Sequence, residues 1–596
     1  MNYTLAPRFP DAHQFEITCR VDLPDPAGQR FSLPVWIPGS YMIREFARHI
    51  VDIRAETASG KPVRLEKINK ATWQAAPCRQ PLILTYRVYA WDLSVRAAHF
   101  DRQHAFFNAS SVFLYAHGKE NQPCRVTLLP PEHADNWRVA TSLPVDGATP
   151  FGFGHYLAAS YAELLDHPVE MGRFTHLEFE AHGAPHHLIV TGCPDFDAGR
   201  VCHDLARICA VQMDLFGEPR LDAPYYFLLT AVDSGYGGLE HKNASALLCH
   251  RADLPAVGAK TGAQPDSGYV RLLGLASHEY FHRWNVKRIR PAAFVAPDWQ
   301  SETYTRLLWF FEGVTSYYDD LCLRRAGLID EATYLELLAK TLSQVQKTPG
   351  RHVQSLADSS FDAWIKYYRP DENTPNAVVS YYTKGALTAL CLDLALRREG
   401  HALDEVMRAL WREAAKTGGK AIEETEIFTR VTTLGGKALG RWLQNVVEGT
   451  DGQHPLPLAR HLAHFGVKLD WQAENDRPWI GAQLKHEGGK TRISHVLTAS
   501  PAERAGLAAG DILIALQGHE ITPQNLDTLL ARLAVGQGVE CHYFRHGLLA
   551  ATTLTPIAPP ADTARLSALP GAKARIARQT WLAEDANDRE APSPGL

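Results

Sequence analysis

No run of about eighteen apolar residues occurs anywhere in the 596-residue chain, so no membrane-spanning helix is expected. The stretch from Met1 to Val21 has no basic segment followed by an apolar one, the pattern a secretory leader requires. Cysteine is sparse and scattered: ten residues with no C-x-x-C pair. In a large chain without an export signal these read as buried thiols, not as a disulfide framework. Charge of neither sign is in excess. Lys and Arg number 61 against 66 Asp and Glu, a formal net charge of −5, with a pI near 6.6. That balance gives no pull toward nucleic acid or an anionic membrane. The absences together describe a cytoplasmic, soluble protein with neither nucleic acid nor membrane as partner.

What is present is ordinary globular composition, 45% hydrophobic and 21% charged, in a chain too long for a single core. Length alone suggests about three or four domains. The chain opens in β patterning. Phe15, Ile17, Cys19, Val21 and Leu23 alternate with polar residues, and Leu82 to Tyr89 forms a second strand-like run, with turns such as Pro38-Gly39 between. Residues 1–168 are therefore expected to form an antiparallel β-sandwich. From about 200 the period changes. Leu205, Ile208, Met213 and Leu215 have helical spacing, and a strand from Tyr226 to Val232 ends in the glycine turn Gly235-Tyr236-Gly237-Gly238. Residues 271–450 are mainly helical, with Leu403, Val406, Met407, Leu410 and Trp411 on one face and Gly418-Gly419 as a stop. A unit of short strands (480–484, 493–497, 539–544) around a helix near 526–533 begins at about 464. The last stretch, from 559, is rich in Ala, Pro, Arg and Asp and reads as a flexible tail.

Chemistry concentrates in LLGLASHEYFHR, residues 272–283. On a helix His278 and His282 lie on one face a turn apart, where two imidazoles can hold one tetrahedral Zn²⁺. Glu279 lies on an adjoining line, placed to act as general base without ligating the metal. Because the chain has 27 histidines, a chance HExxH is the bland alternative, and a third ligand in a suitable setting weakens it. Two carboxylates compete. Glu302 sits in a polar, loop-like stretch. Glu312 lies inside the apolar aromatic run LLWFFEGVTSYYDD, where a carboxylate is costly unless it is paired or ligates a metal. Glu312 is the choice, with a structural salt bridge as its alternative. Three protein ligands leave a fourth position open, as in a catalytic zinc site holding one ion per chain.

Five ordered blocks then carry a resemblance. They are Trp36-Ile37-Pro38-Gly39-Ser40-Tyr41 with Ile43-Arg44, Gly237-Gly238-Leu239-Glu240-His241, HEYFHRWNVKRIRP (278–291), FFEGVTSYY (310–318) and SYYTKGALTALCLDLALR (380–397). With these the chain resembles the glycyl aminopeptidase family of thermolysin-like (gluzincin) zinc metallopeptidases. The resemblance covers most of the chain. It implies a multidomain fold: an N-terminal β-sandwich (1–168), a thermolysin-like α+β and helical peptidase domain (169–463), a PDZ-like β-barrel (464–558) and the tail (559–596).

The resemblance also implies roles. Tyr382, just before Thr383-Lys384-Gly385, would donate a hydrogen bond to the tetrahedral oxyanion, with Tyr381 as the alternative. Glu240 would pair with the substrate's free α-amine, while Gly237 and Gly238 let substrate backbone approach a strand edge. His241 stands where the broader group of zinc aminopeptidases has asparagine. Residues 500–507 (SPAERAGL) leading into GDIL (510–513) resemble a PDZ signature, and Ile480-Gly481-Ala482 is the candidate loop for a peptide or protein C-terminus. The leading expectation is a zinc aminopeptidase that cuts after small N-terminal residues (Gly or Ala) of peptides with free N-termini, using a zinc-activated water and Glu279. The alternatives are an endopeptidase with the same centre and a catalytically dead PDZ adaptor.

Overall fold

The computed structural model describes residues 1–132, 135–218, 223–258 and 265–583. The chain divides into two compact units. One comprises Met1–Tyr304, Tyr318–Ile329 and Asp404–Ile422, and the other Thr305–Tyr317, Asp330–Leu403 and the described part of Glu423–Leu596.

The first unit opens with three sheets. The largest has seven strands, among them Asn2–Phe9, Gln14–Val21 and Leu82–Tyr89. The alternation seen in sequence marks its buried face: Phe15, Ile17 and Cys19 are fully buried, as are Leu82 and Leu84. The alternation stops one step earlier than expected, since the strand ends at Val21 and Leu23 is 78% exposed. The sheet is also not purely antiparallel, because Asn2–Phe9 pairs in parallel with Cys124–Leu128, to which the chain returns after long connections. All ten cysteines are free thiols and eight are buried.

A mixed five-stranded sheet follows, in the order Thr175–Ala181, Ala184–Thr191, Tyr225–Val232, Ala244–His250, Gly237–Glu240. The short strand Gly237–Glu240 is thus an edge, paired on one side to Ala244–His250 with Gly238 opposite Leu247 and Glu240 opposite Ser245. Two helices belong with this sheet. Ala198–Phe216 buries Leu205, Ile208, Met213 and Leu215, and Ser267–Phe281 is started by Asp266, whose side chain accepts from the Tyr269 N–H.

The second unit is helical and then β. A π-helical turn, Trp309–Val314, opens it, and the helices Glu331–Gln346, Thr383–Arg398 and Glu424–Glu448 follow. Its later sheet runs through Ala482–Glu487, Lys490–Val496, Ile512–Leu516, Val539–Arg545 and Leu548–Leu554, with His519–Glu520 attached to Ile512–Leu516. Ile493, Ala502, Leu513 and Cys541 form its core. The strand path ends at two edges, so this is an open sheet where a closed barrel was expected.

The expected tail is also corrected. Thr563–Ala568 pairs antiparallel with Val467–Gln472, and Ala572–Leu582 is a helix. Trp581 is fully buried with its indole N–H donating to the Tyr317 hydroxyl at 3.0 Å, and Arg578 binds Glu331 at 2.8 Å. An Ala- and Arg-rich composition hides these anchors, because one buried aromatic and one ion pair order a helix that composition alone leaves free. The rest of the expected tail, 584–596, lies outside the described residues. Among the described residues no helix is long and apolar enough to cross a membrane.

Candidate active site

The HExxH residues sit at the C-terminal end of the helix Ser267–Phe281. It buries Leu272, Leu273, Leu275 and Ala276, and His282 caps it. The turn after it is fastened by two buried arginines. Arg283 donates to Asn243 Oδ1 at 2.7 Å, and Arg288 donates to the Lys242 carbonyl at 3.1 Å and to the Arg283 carbonyl at 2.9 Å. A guanidinium is tolerated in such a place because charge-assisted bonds take up its donors. This explains why the block HEYFHRWNVKRIRP extends past the second histidine: its arginines tie the helix end to the segment that follows Glu240.

Both imidazoles are oriented through Nδ1. His278 Nδ1 lies 3.1 Å from Asp319 Oδ2 and His282 Nδ1 lies 2.8 Å from the Asn285 carbonyl. Asp319 is itself located by Ser277, whose hydroxyl donates to the Asp319 carbonyl at 2.8 Å, and Ser277 in turn accepts from Gln212 at 2.9 Å. Burial lifts the Asp319 carboxyl above its ordinary range, against the opposing pull of His278. With the Nδ1 positions taken, the two Nε2 atoms face each other at 3.1 Å. Two ligands of one tetrahedral zinc, each about 2.0–2.1 Å from it, stand about 3.3–3.4 Å apart. The pair therefore fits a metal ion.

The edge strand presents Gly238 and Glu240 on one face, two residues apart. A Cβ on Gly238 would lie 2.0 Å from Glu279 Oε1 and 2.6 Å from its Cγ, so only glycine lets the Glu279 side chain pack there. Glu240, Glu279 and His282 each offer a donor atom, and these lie within 4.8 Å of one another. Glu240 is 4% exposed. The Pro38-Gly39 turn packs against it. Gly39 has φ +87°, and a Cβ there would meet both Glu240 carboxylate oxygens at 2.5 and 2.6 Å. The turn is braced by Arg44, which donates to Ser40 Oγ at 2.6 Å. The expected Gly237 borders Arg96, whose guanidinium donates to the Gly238 carbonyl at 3.3 Å.

Next to Glu240, His241 is buried 3.4 Å from Asp166, which also holds Lys287 Nζ at 2.5 Å. Burial pushes the Asp166 carboxyl up, but Lys287 and His241 prevail and hold it well below the usual range. A cavity of about 440 Å³ opens here, lined by Glu240, Gly39, Tyr41, Asp166, Lys242 and Arg290 among others.

In the second unit Glu312 is 2% exposed, within the π-helical turn Trp309–Val314. Single π turns recur at functional sites because they re-aim one side chain without ending the helix. This one is clamped by glycine against glycine: a Cβ on Gly313 would stand 2.5 Å from Gly385 Cα, and one on Gly385 would stand 2.8 Å from Gly313 Cα. The glycine of the Thr383-Lys384-Gly385 step thus permits close backbone contact with the glutamate's own turn. Lys384 is buried and paired with Asp451 at 2.8 Å. Tyr382 caps the helix Thr383–Arg398, stacked on Tyr381 with ring centroids 4.7 Å apart. Tyr381 is fully buried and Tyr382 partly so. Burial and then the nearby Glu312 charge raise the Tyr382 phenol well above its ordinary value, so it stays a donor. Glu302 lies in an irregular segment and joins none of the metal-suited groups among the described residues.

Two family profiles match the chain: the Peptidase M61 N-terminal domain over residues 2–173 and the M61 glycyl aminopeptidase over residues 271–388. The crystal structure of an aminopeptidase N family protein from Idiomarina loihiensis is similar over 98% of this chain and 99% of its own, with 37% identity and a TM-score of 0.91. The chain belongs to the M61 glycyl aminopeptidase family. It is a metallopeptidase of the aminopeptidase kind. An M1 zinc metallopeptidase from Deinococcus radiodurans is a far weaker likeness, with 15% identity and a TM-score of 0.46 over 75% of this chain and 93% of its own. No curated protein sequence matches.

Within this M61 chain, sequence reasoning missed Asp319, the Asp166–Lys287–His241 cluster and the contact of Gly39 with Glu240. The signal for Asp319 was its position in the apolar run YYDD, read there only as helix. Nothing in sequence joins Gly39 to a carboxylate two hundred residues away.

Proposed function

We propose that this chain is a zinc-dependent aminopeptidase that releases small N-terminal residues, Gly or Ala, from peptides with free N-termini. His278, His282 and Glu312 would hold one zinc. The Nε2 atoms of His278 and His282, 3.1 Å apart with both Nδ1 atoms committed elsewhere, support two of them, and Glu312 is a buried carboxylate within a π-helical turn. When bound, zinc supplies Lewis-acid polarisation of the scissile carbonyl and acidification of the attacking water. The chain's own residues do the rest. Glu279 accepts a proton from the water and returns it to the leaving amine. The Tyr382 phenol donates to the developing oxyanion, which favours the transition state over the ground state. The edge strand at Gly237-Gly238 receives the peptide backbone.

The observation that carries the reading is Glu240: a buried carboxylate, packed against the Gly39 turn and within 4.8 Å of donor atoms on Glu279 and His282. A carboxylate there recognises an α-ammonium one residue from the bond to be cut, and an endopeptidase has no use for it. Glu240→Ala tests this. Turnover of a free dipeptide amide should fall while metal content stays at the wild-type level, and preference over the N-acetylated analogue should vanish. Undiminished preference for the free amine in that variant would remove the basis of the proposal.

The C-terminal unit is read as a PDZ-like module. The groove between Ala482–Glu487 and the helix Leu526–Ala531, bordered by Ile480-Gly481 and about 400 Å³ in volume, is the place for a peptide or protein C-terminus.

A further inference from the structure

A second histidine pair lies far along the sequence from the HExxH helix. His176 and Glu178 are on the edge strand Thr175–Ala181, and His187 is on the neighbouring strand Ala184–Thr191. Glu178 is directly opposite His187 in the antiparallel register, and His176 is two residues back on the same face. The register is pinned by a two-residue turn, His182-Gly183, with φ of 49° and 72°, as tight hairpins require.

Three donor atoms meet there. His176 Nε2 and His187 Nδ1 are 3.1 Å apart, and Glu178 Oε1 lies 3.5 Å from the first and 3.6 Å from the second. A triangle with those sides is close to one face of a zinc tetrahedron, whose edges are about 3.3–3.4 Å for ligands about 2.0–2.1 Å from the ion. The separation of the two imidazole nitrogens equals that of His278 and His282, also 3.1 Å. The rings are held in place: Phe151 packs on His176 at 4.0 Å between centroids and Tyr226 on His187 at 4.6 Å. The two histidine side chains are 14% and 13% exposed and that of Glu178 is 68% exposed, so the open corner faces water.

We propose that His176, Glu178 and His187 form a second metal site, which takes a divalent first-row transition ion, with zinc as the reference, and ties the edge strand to its neighbour. Two imidazoles and one carboxylate suit zinc, cobalt or copper, and too few oxygens are present for calcium or magnesium.

The test is zinc uptake by the full chain, read by equilibrium dialysis and elemental analysis. Wild-type protein should take up about two zinc ions, one per three-ligand site. His187→Ala and Glu178→Gln should take up about one, with wild-type peptide turnover and without the rise in melting temperature that zinc at this site gives the wild type. Glu178→Gln is exposed and keeps the shape of the side chain, so it remains informative if His187→Ala folds poorly. In a His278→Ala background the hairpin ion should persist, which separates this proposal from the peptidase centre. Cobalt substitution gives an independent readout, since visible absorption from the hairpin site should be lost in His187→Ala. One zinc in both wild type and His187→Ala, or two in both, would overturn the proposal.

Discussion

Gly238→Ala isolates the placement of Glu279 from every other feature of the site. The new methyl carbon would lie 2.0 Å from Glu279 Oε1, 2.4 Å from Cδ and 2.6 Å from Cγ, whereas real Cβ contacts essentially never fall below 3.0 Å. Rotating the carboxylate alone cannot relieve this, because Cγ is itself too close. The side chain must retreat by at least about 1 Å, and a misplacement of that size costs on the order of 100-fold in rate. Overpacking elsewhere in cores costs about 1–3 kcal/mol of stability, so the protein should still fold. The imidazoles do not touch the added methyl among its three nearest contacts, and metal content should be unchanged. The assay is steady-state hydrolysis of glycyl and alanyl amides, with zinc analysis and thermal melting on the same preparation. The expected result is kcat reduced about 100-fold with KM little changed, the pattern of a lost transition-state interaction. A kcat within about threefold of wild type in a folded, metal-replete variant would refute the claim that Glu279 is a positioned base.

Two further outcomes follow from the same geometry. Asp319→Asn weakens the acceptor that orients His278, and zinc affinity should drop about 10- to 100-fold in a chelator competition, as for other outer partners of metal-ligating histidines. Tyr382→Phe should lower kcat by the equivalent of about 2.7–4 kcal/mol with zinc content unchanged; if Tyr381→Phe does so instead, the neighbouring tyrosine is the donor.

Local patterning was readable wherever one face of an element is buried. The alternation from Phe15 to Val21, the run Leu82–Tyr89 and the helical face of Leu205, Ile208, Met213 and Leu215 all report burial that a regular period encodes. His278 and His282 were legible for the same reason, because four-residue spacing on a helix fixes their common face. Features built from distant segments were not. Asp319 meets His278 across 41 residues, and its carboxylate could as well have faced solvent. The Gly39 turn resembles any surface turn until Glu240 is seen against it. The order of residues 563–582 depends on pairing with Val467–Gln472 and on a pocket for Trp581, neither of which composition can express. The hairpin triad escaped notice because its spacing is a strand register, visible only once Glu178 and His187 are known to stand opposite each other.

Recognition of a free α-amine by Glu240 is tested directly by one peptide pair. Purified enzyme is incubated with a peptide bearing a free N-terminal glycine and with its N-acetylated counterpart, and the products are weighed by mass spectrometry. Acetylation removes the ammonium and leaves the Glu240 carboxylate desolvated without its partner, a loss of about 2–5 kcal/mol. The free peptide should lose its N-terminal residue while the capped one stays intact. Efficient cleavage of the capped peptide at internal bonds would leave Glu240 without this role and make the chain an endopeptidase.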